Sequence, residues 1–280
     1  IAGAALAPAP AEAARRTRDS LPTDPKEILD AGVRIYGTSG KGRVTWKTKI
    51  VVYAVQPGGV VPVVGLRGRE SAWWTRIDDS TWVRYSSTLS FFEDLETGQF
   101  IDEFRNPLNG HVSKVGVSFI RHKEGEYRTT MGEYYGSMRK AFPQSYPEEP
   151  IKPSWNLDAG IVRLRGRSNF PPILRQPTLE TATLSVRADE LFDPKVETPP
   201  GTTAGFNVRP WEPWLGMGDA PGHVIWQYDG VKLTDVEKLD ADYLARARAH
   251  TPLFDKSPQF DEGPSFFERV IQNRGVKPQG

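Results

Sequence analysis

The chain has 280 residues, and its 36 Lys and Arg against 35 Asp and Glu leave a formal net charge of +1. That balance excludes a global basic field able to hold nucleic acid or an anionic membrane. The absence of cysteine excludes disulfides, thiolate catalysis and thiolate-ligated metal sites.

Residues 1–18 are small and apolar up to Ala13, with A-x-A patterns at Ala7–Ala9 and Ala11–Ala13, followed by Arg15, Arg16 and Arg18. They read as the remnant of an export signal and imply a periplasmic or secreted protein; a cytoplasmic chain with a flexible Ala/Pro arm is the alternative. Residues 19–280 read as a single domain. No run approaches the ~18 apolar residues of a membrane span.

Thr23–Asp30 predicts a short helix, with Thr23 or Asp24 as cap and Pro25 in the first turn. Arg43–Ile50 alternates, with Val44, Trp46, Thr48 and Ile50 on one face. Gln56–Gly59 is a turn, and Asp78–Ser80 joins two strands, Ala72–Ile77 and Thr81–Tyr85. Asp94–Gly98 and Asn106–Gly110 are tight turns flanking an extended stretch, Gln99–Arg105, and each ends on a glycine that permits φ > 0. Lys114–Arg121 and Tyr127–Tyr135 read as two strands joined across Lys123–Gly125. Turns roughly 8–12 residues apart, with 11% aromatic residues, predict a mainly all-β fold: an antiparallel barrel or strongly curved sheet, lipocalin-like in general shape, with short helices at both ends. A long loop over 143–155 precedes strands at Ala159–Arg167 and Thr178–Arg187. A second loop over 193–221 carries Trp211 and Trp214, and a late strand spans Gly222–Gly230. Helices close the chain at 241–250, capped by Asp240, and at 266–273, where Ser265 and Glu268 form a capping box.

The stretch Asp94–Gly110, DLETGQFIDEFRNPLNG, resembles a family of mostly bacterial, often exported proteins catalogued as a domain of unknown function. Their pattern pairs an Asp-Pro-x-Thr-Gly turn with an Asn-Pro-x-Thr-Gly turn. Here Leu95 replaces the first Pro, Asn109 the second Thr, and His111 stands where an acidic residue is common. The resemblance implies fold and address rather than a reaction.

Chemistry is sparsely signalled. The four His (111, 122, 223 and 250) show no local metal-ligand spacing, and neither a G-x-S-x-G elbow nor a phosphate-binding or dinucleotide fingerprint is present. His122, beside Arg121 near an expected turn, reads as exposed, whereas His223 opens the late strand near Ile225 and Trp226. Arg163, Arg165 and Arg167 share one strand face, which is either solvated or an anion site.

These features predict an exported, cofactor-free lyase or isomerase working by proton transfer on a small hydrophobic or aromatic molecule in a barrel pocket, with no metal, no nucleic-acid partner and no membrane span. His223 would move the proton. Tyr134 and Arg163 would polarise or anchor oxygens, and Trp46, Trp82, Trp214 and Trp226 would form the wall. A non-catalytic lipocalin-like binder and a protein-interaction module built on the Trp211/Trp214 loop are the alternatives.

Overall fold

The computed structural model describes residues 20–40, 42–136, 151–170, 178–265 and 268. Asp24 caps the first helix, α1 (Pro25–Tyr36), by accepting a 2.7 Å hydrogen bond from the Lys26 amide at Oδ1, with Pro25 in the first turn. The helix runs past the expected end at Asp30 because Ala31, Val33 and Ile35 are buried against the sheet.

Twelve strands follow: β1 (Arg43–Gln56), β2 (Gly59–Asp78), β3 (Thr81–Glu93), β4 (Glu103–Arg105), β5 (Val112–Lys114), β6 (Val117–Thr129), β7 (Gly132–Tyr135), β8 (Ser154–Asp158), β9 (Ile161–Phe170), β10 (Thr178–Arg187), β11 (Thr202–Arg209) and β12 (His223–Leu233). Two further α-helices, α2 (Ala188–Leu191) and α3 (Ala241–His250), and three single 3-10 turns at Pro213–Leu215, Val236–Lys238 and Pro258–Phe260 lie among the described residues. Ten strands form one antiparallel sheet in the order β7-β6-β3-β2-β1-β12-β11-β10-β9-β8, and β4-β5 form a separate ribbon. The sheet curls into a half-barrel, as the turn spacing predicted. Its two ends meet at one rung, where Glu133 and Ile151 exchange backbone hydrogen bonds of 2.9 and 3.0 Å.

Several local expectations needed correction. Lys123–Gly125 is no turn: β6 runs through it, and these residues bulge opposite Tyr85 between the pairs Arg84–Glu126 and Ser86–His122. The stretch 193–221 is not a continuous loop, because β11 lies within it. The Asp240 side chain makes no capping bond and instead pairs with Lys47 at 2.7 Å. Residues 143–150 lie outside the described residues, and Ser154 and Trp155, placed in that loop, open β8. The helix expected at 266–273 lies outside the described residues except at Glu268, whose capping box with Ser265 is present: Ser265 N–H to Glu268 Oε2 at 2.7 Å, and Glu268 N–H to Ser265 Oγ at 3.2 Å.

Strand alternation divides the chain into two faces. Trp46, Val52 and Ala54 of β1 point inward, as do their cross-strand partners Glu70 and Val64 of β2 and Trp226 and Val224 of β12. At one end of the lumen α1 acts as a plug. Ala31 and Ile35 pack on Trp46, Val162, Leu164, Leu184 and Val186, and Leu29 and Val33 pack on Ala72, Trp74 and Trp82. At the other end Val52, Val64, Leu66, Phe92, Val224 and Trp226 meet a cap built from Phe104, Val115 and Leu215. On the outside, α3 and the segment through Phe254 cover Leu89 and Phe91 of β3.

Candidate functional site: the lumen of the barrel

The double turn at Asp94–Gly110 builds the cap. Asp94 Oδ1 accepts hydrogen bonds from the amides of Glu96 and Thr97, and from Thr97 Oγ1, while Gly98 and Gly110 adopt φ of 66° and 72°. Asn106 is fully buried; its Oδ1 accepts from the Leu108 amide at 3.0 Å and its Nδ2 donates to the Leu215 carbonyl at 2.7 Å. Asn109 donates to the Gly216 carbonyl at 3.0 Å. These bonds pin the Trp211–Met217 segment over the barrel mouth, where Trp214 lies edge-on to Phe92 and Phe104 with ring centroids 5.2 and 5.3 Å away.

The opposite end is closed by a buried lysine. Lys232 Nζ donates to the carbonyls of Arg34, Ile35 and Gly37 at 2.7, 3.2 and 3.3 Å, satisfying the C-terminus of α1. Burial, reinforced by the nearby Arg34 guanidinium, lowers its pKa to about 7. Gly37 is required here, since the Trp74 indole lies where a Cβ would stand.

Between plug and cap the lumen is polar. The register turns Thr48, Glu70, Arg84, Ser86, Thr88, His122, Glu126, Glu180, Asn207 and Tyr228 inward. The residues at either end are fully buried, but Thr48, Ile50, Glu70, His122, Glu180 and Tyr228 keep part of their surface accessible although they face inward. Small residues line this belt at Gly68, Gly166, Ala182 and Gly205, and the side chains of Ser90 and Tyr228 lie over Gly68 and Gly205. Gly205 also makes room for Tyr228, whose hydroxyl passes over it to donate to the Thr181 carbonyl at 3.0 Å.

The charges of this belt influence one another. Arg84 forms ion pairs with Glu70 and, at 3.1 Å, with Glu126. Burial pushes the Glu180 carboxyl up to about 6; Arg209 opposes that shift, while Glu126 and Glu70 add to it. Burial likewise lowers the pKa of His122, with Glu126, Glu70 and Glu124 pulling it up and Arg84 pushing it down. Burial raises the Tyr228 hydroxyl, and Glu180 reinforces the effect. A neutral imidazole and a carboxyl that titrates near pH 6 therefore share one enclosure. Among the described residues no group of three His, Asp or Glu has the geometry of a metal site, and no helix is long and apolar enough to cross a membrane.

The residues singled out from sequence are dispersed. Trp46, Trp82 and Trp226 do face the lumen, the first two at the plug end and the third at the cap end, and Trp214 sits in the cap. The Trp46 indole donates to the Tyr36 carbonyl at 2.9 Å, and Arg209 stacks over Trp226 at 4.9 Å. His223 pairs with Val55 on the opposite face of β12 from Trp226. Tyr134, opposite Tyr127, lines an outer notch of about 280 Å³. Arg163 also faces outward and pairs with Asp158 at 3.8 Å. The structure does not bring His223, Tyr134 and Arg163 together.

His122 was expected to be exposed; it turns inward because β6 continues through the supposed turn. The signal was present in the sequence, since His122, Glu124, Glu126 and Arg128 alternate onto one strand face. The loop-like composition of Lys123-Glu124-Gly125 disguised it.

A family model described as "Protein of unknown function (DUF1838)" matches residues 41–265, about four-fifths of the chain. Among solved structures, a DUF1329 family protein from Desulfovibrio piger matches at 11% identity, covering 74% of this chain and 92% of that one with a TM-score of 0.20. No curated protein matches.

Proposed function

The chain belongs to that DUF1838 family, and we propose that it binds a small, largely apolar molecule in its barrel lumen and transforms it by proton transfer between its own side chains. The observation that carries this reading is the polar belt: inward-facing His122, Glu180 and Glu70 retain some accessible surface between two apolar ends. His122, held neutral by burial, is suited to accept a proton, and Glu180 to give or take one near pH 6. Trp82 and Trp226 offer aromatic surface to the body of the substrate at the two ends. Such an enzyme would be a lyase or isomerase. Its exported setting rests on residues 1–18.

The test uses the neutral fluorophore N-phenyl-1-naphthylamine. It should bind one to one with enhanced emission, and Ala182→Trp, which fills the lumen, should abolish binding, whereas His223→Gln on the outer face should not. Dye binding that survives Ala182→Trp would remove the lumen from the reading. For any compound then found to be turned over, His122→Gln should lower the rate by roughly 100-fold or more while binding persists. Binding without turnover across such compounds would identify a carrier, the reading favoured by the lumen's enclosure alone.

A further inference from the structure

Resting on that reading of the lumen, we propose that its ligand is a small organic cation, an amine with an apolar body, whose charged nitrogen is held at Glu180. Among the described residues the belt carries more carboxylates than cations to match them. Glu70, Glu124, Glu126 and Glu180 lie within it, against the guanidiniums of Arg84 and Arg209. Arg84 is already shared between Glu70 and Glu126. Arg209 is drawn to Glu212 at 3.7 Å and stacked on Trp226. The remaining cations are spent at the plug: Arg128 pairs with Glu133 and stacks on Tyr36, and Lys232 serves the α1 carbonyls. Glu180 is left without a hydrogen bond or ion pair among the described residues, and both carboxylate oxygens of Glu124 are buried and unpartnered.

Two groups outside the acidic set also await a partner. Ser86 is fully buried and faces His122 across β3 and β6, and its Oγ has no hydrogen-bond partner; nor has Nε1 of Trp226, which is 8% exposed. Both turn into the lumen. Buried polar atoms in a folded protein are rarely left unpaired; others lie at the plug, on Trp74, Trp82 and Arg128, and away from the lumen, on Arg34, Arg69 and Ser87, and those of the belt mark a ligand's footprint. A cationic nitrogen would supply the missing positive charge, and Ile50 and the Trp226 ring would contact the apolar body. Such a cation beside Glu180 would favour its ionised form, leaving His122 as the proton carrier in the loaded protein.

Three isosteric probes test the proposal by calorimetry at pH 7.5: 2-phenylethylamine, 2-phenylethanol and 3-phenylpropionate. The amine should bind at least tenfold more tightly than the alcohol, and the carboxylate more weakly than either. Glu180→Gln should erase the amine's advantage while leaving the alcohol's affinity within twofold; Glu124→Gln should reduce it about threefold. The ranking on the unaltered chain stands whether or not either variant folds. If the alcohol or carboxylate binds as well as the amine, the charge assignment is overturned and the lumen reading survives. If none of the three binds although the naphthylamine dye does, the charge assignment falls and the lumen reading stands; if the dye fails as well, both fall. An advantage unchanged in folded Glu180→Gln protein would also overturn the assignment to this residue.

Discussion

Arg69 and Glu180 are both charged residues enclosed by the same sheet, one on each of its faces. Arg69 lies outside β2, beneath the segment through Phe254, with no exposed surface; it donates to the Ser87 carbonyl at 3.0 Å and to the Phe254 carbonyl, and its guanidinium stacks 4.2 Å from the Phe254 ring. Burial lowers its pKa only to about 10, so it stays charged. Asn106, in the cap, is bonded at both ends of its amide in the same manner. Among the described residues Glu180 has no such ties. Arg69 and Asn106 are bonded to backbone groups, whereas in the lumen Arg84 is held by the carboxylates of Glu70 and Glu126, and Glu180 by none of the described residues. A buried charge thus marks a candidate site by its lack of local bonds rather than by its burial.

The sharpest way to break this contrast is at the tied residue. Arg69→Ala should cost about 3–5 kcal/mol, by leaving two buried carbonyls unpaired and a cavity under Phe254, and should lower the Tm by roughly 10 °C in calorimetry. Glu180→Gln should act in the opposite sense. The folded carboxyl titrates near 6 against an ordinary 4.5, so the folded state retains a proton that the unfolded chain has released. Stability is therefore fullest below 4.5 and falls as pH rises through 6, by about 2 kcal/mol in total. Denaturant titrations should show Glu180→Gln about 2 kcal/mol more stable than the unaltered chain at pH 8 and equal to it at pH 4. A destabilised variant at pH 8 would mean that Glu180 is tied after all. Asn106→Ala should cost about 1–2 kcal/mol, because the Leu215 carbonyl and Leu108 amide lose their partner. His223→Gln, on the outer face, should move stability by no more than about 0.5 kcal/mol.

Much of the fold was legible because it depends on short-range rules. Alternation in Arg43–Ile50 and Thr178–Arg187 located β1 and β10, the turn residues at Asp78–Ser80 located a hairpin, and Asp24-Pro25 located the start of α1. Alternation put Trp46 on one face with Val44, Thr48 and Ile50, but which face of each strand turns inward was not readable from it. What escaped was set by partners distant in sequence. Gly201–Phe206 reads as irregular on its own and becomes β11 because β10 and β12 flank it. The His122–Arg128 face looks like a turn until β3 supplies the straight neighbour against which it bulges. His223, Tyr134 and Arg163 are chemically apt residues on well-placed strands, but whether a strand residue faces in or out depends on the register, which no local pattern around them specified. The lumen's charge excess is the least legible feature, because it is a sum over six strands.

The pairing of β1 with β12 has a consequence for how the chain is made. Thr45 lies beside Leu233, so one edge of β1 stays open on the ribosome until nearly the whole sheet has been synthesised. The early meander of β1, β2 and β3 can zip up promptly, but it presents a long, bare strand of Val, Ile and Tyr to the cytosol while the remainder is translated. Final closure is an event of high contact order and correspondingly slow. Until that last strand arrives, the open edge of β1 is the place where mispairing can begin.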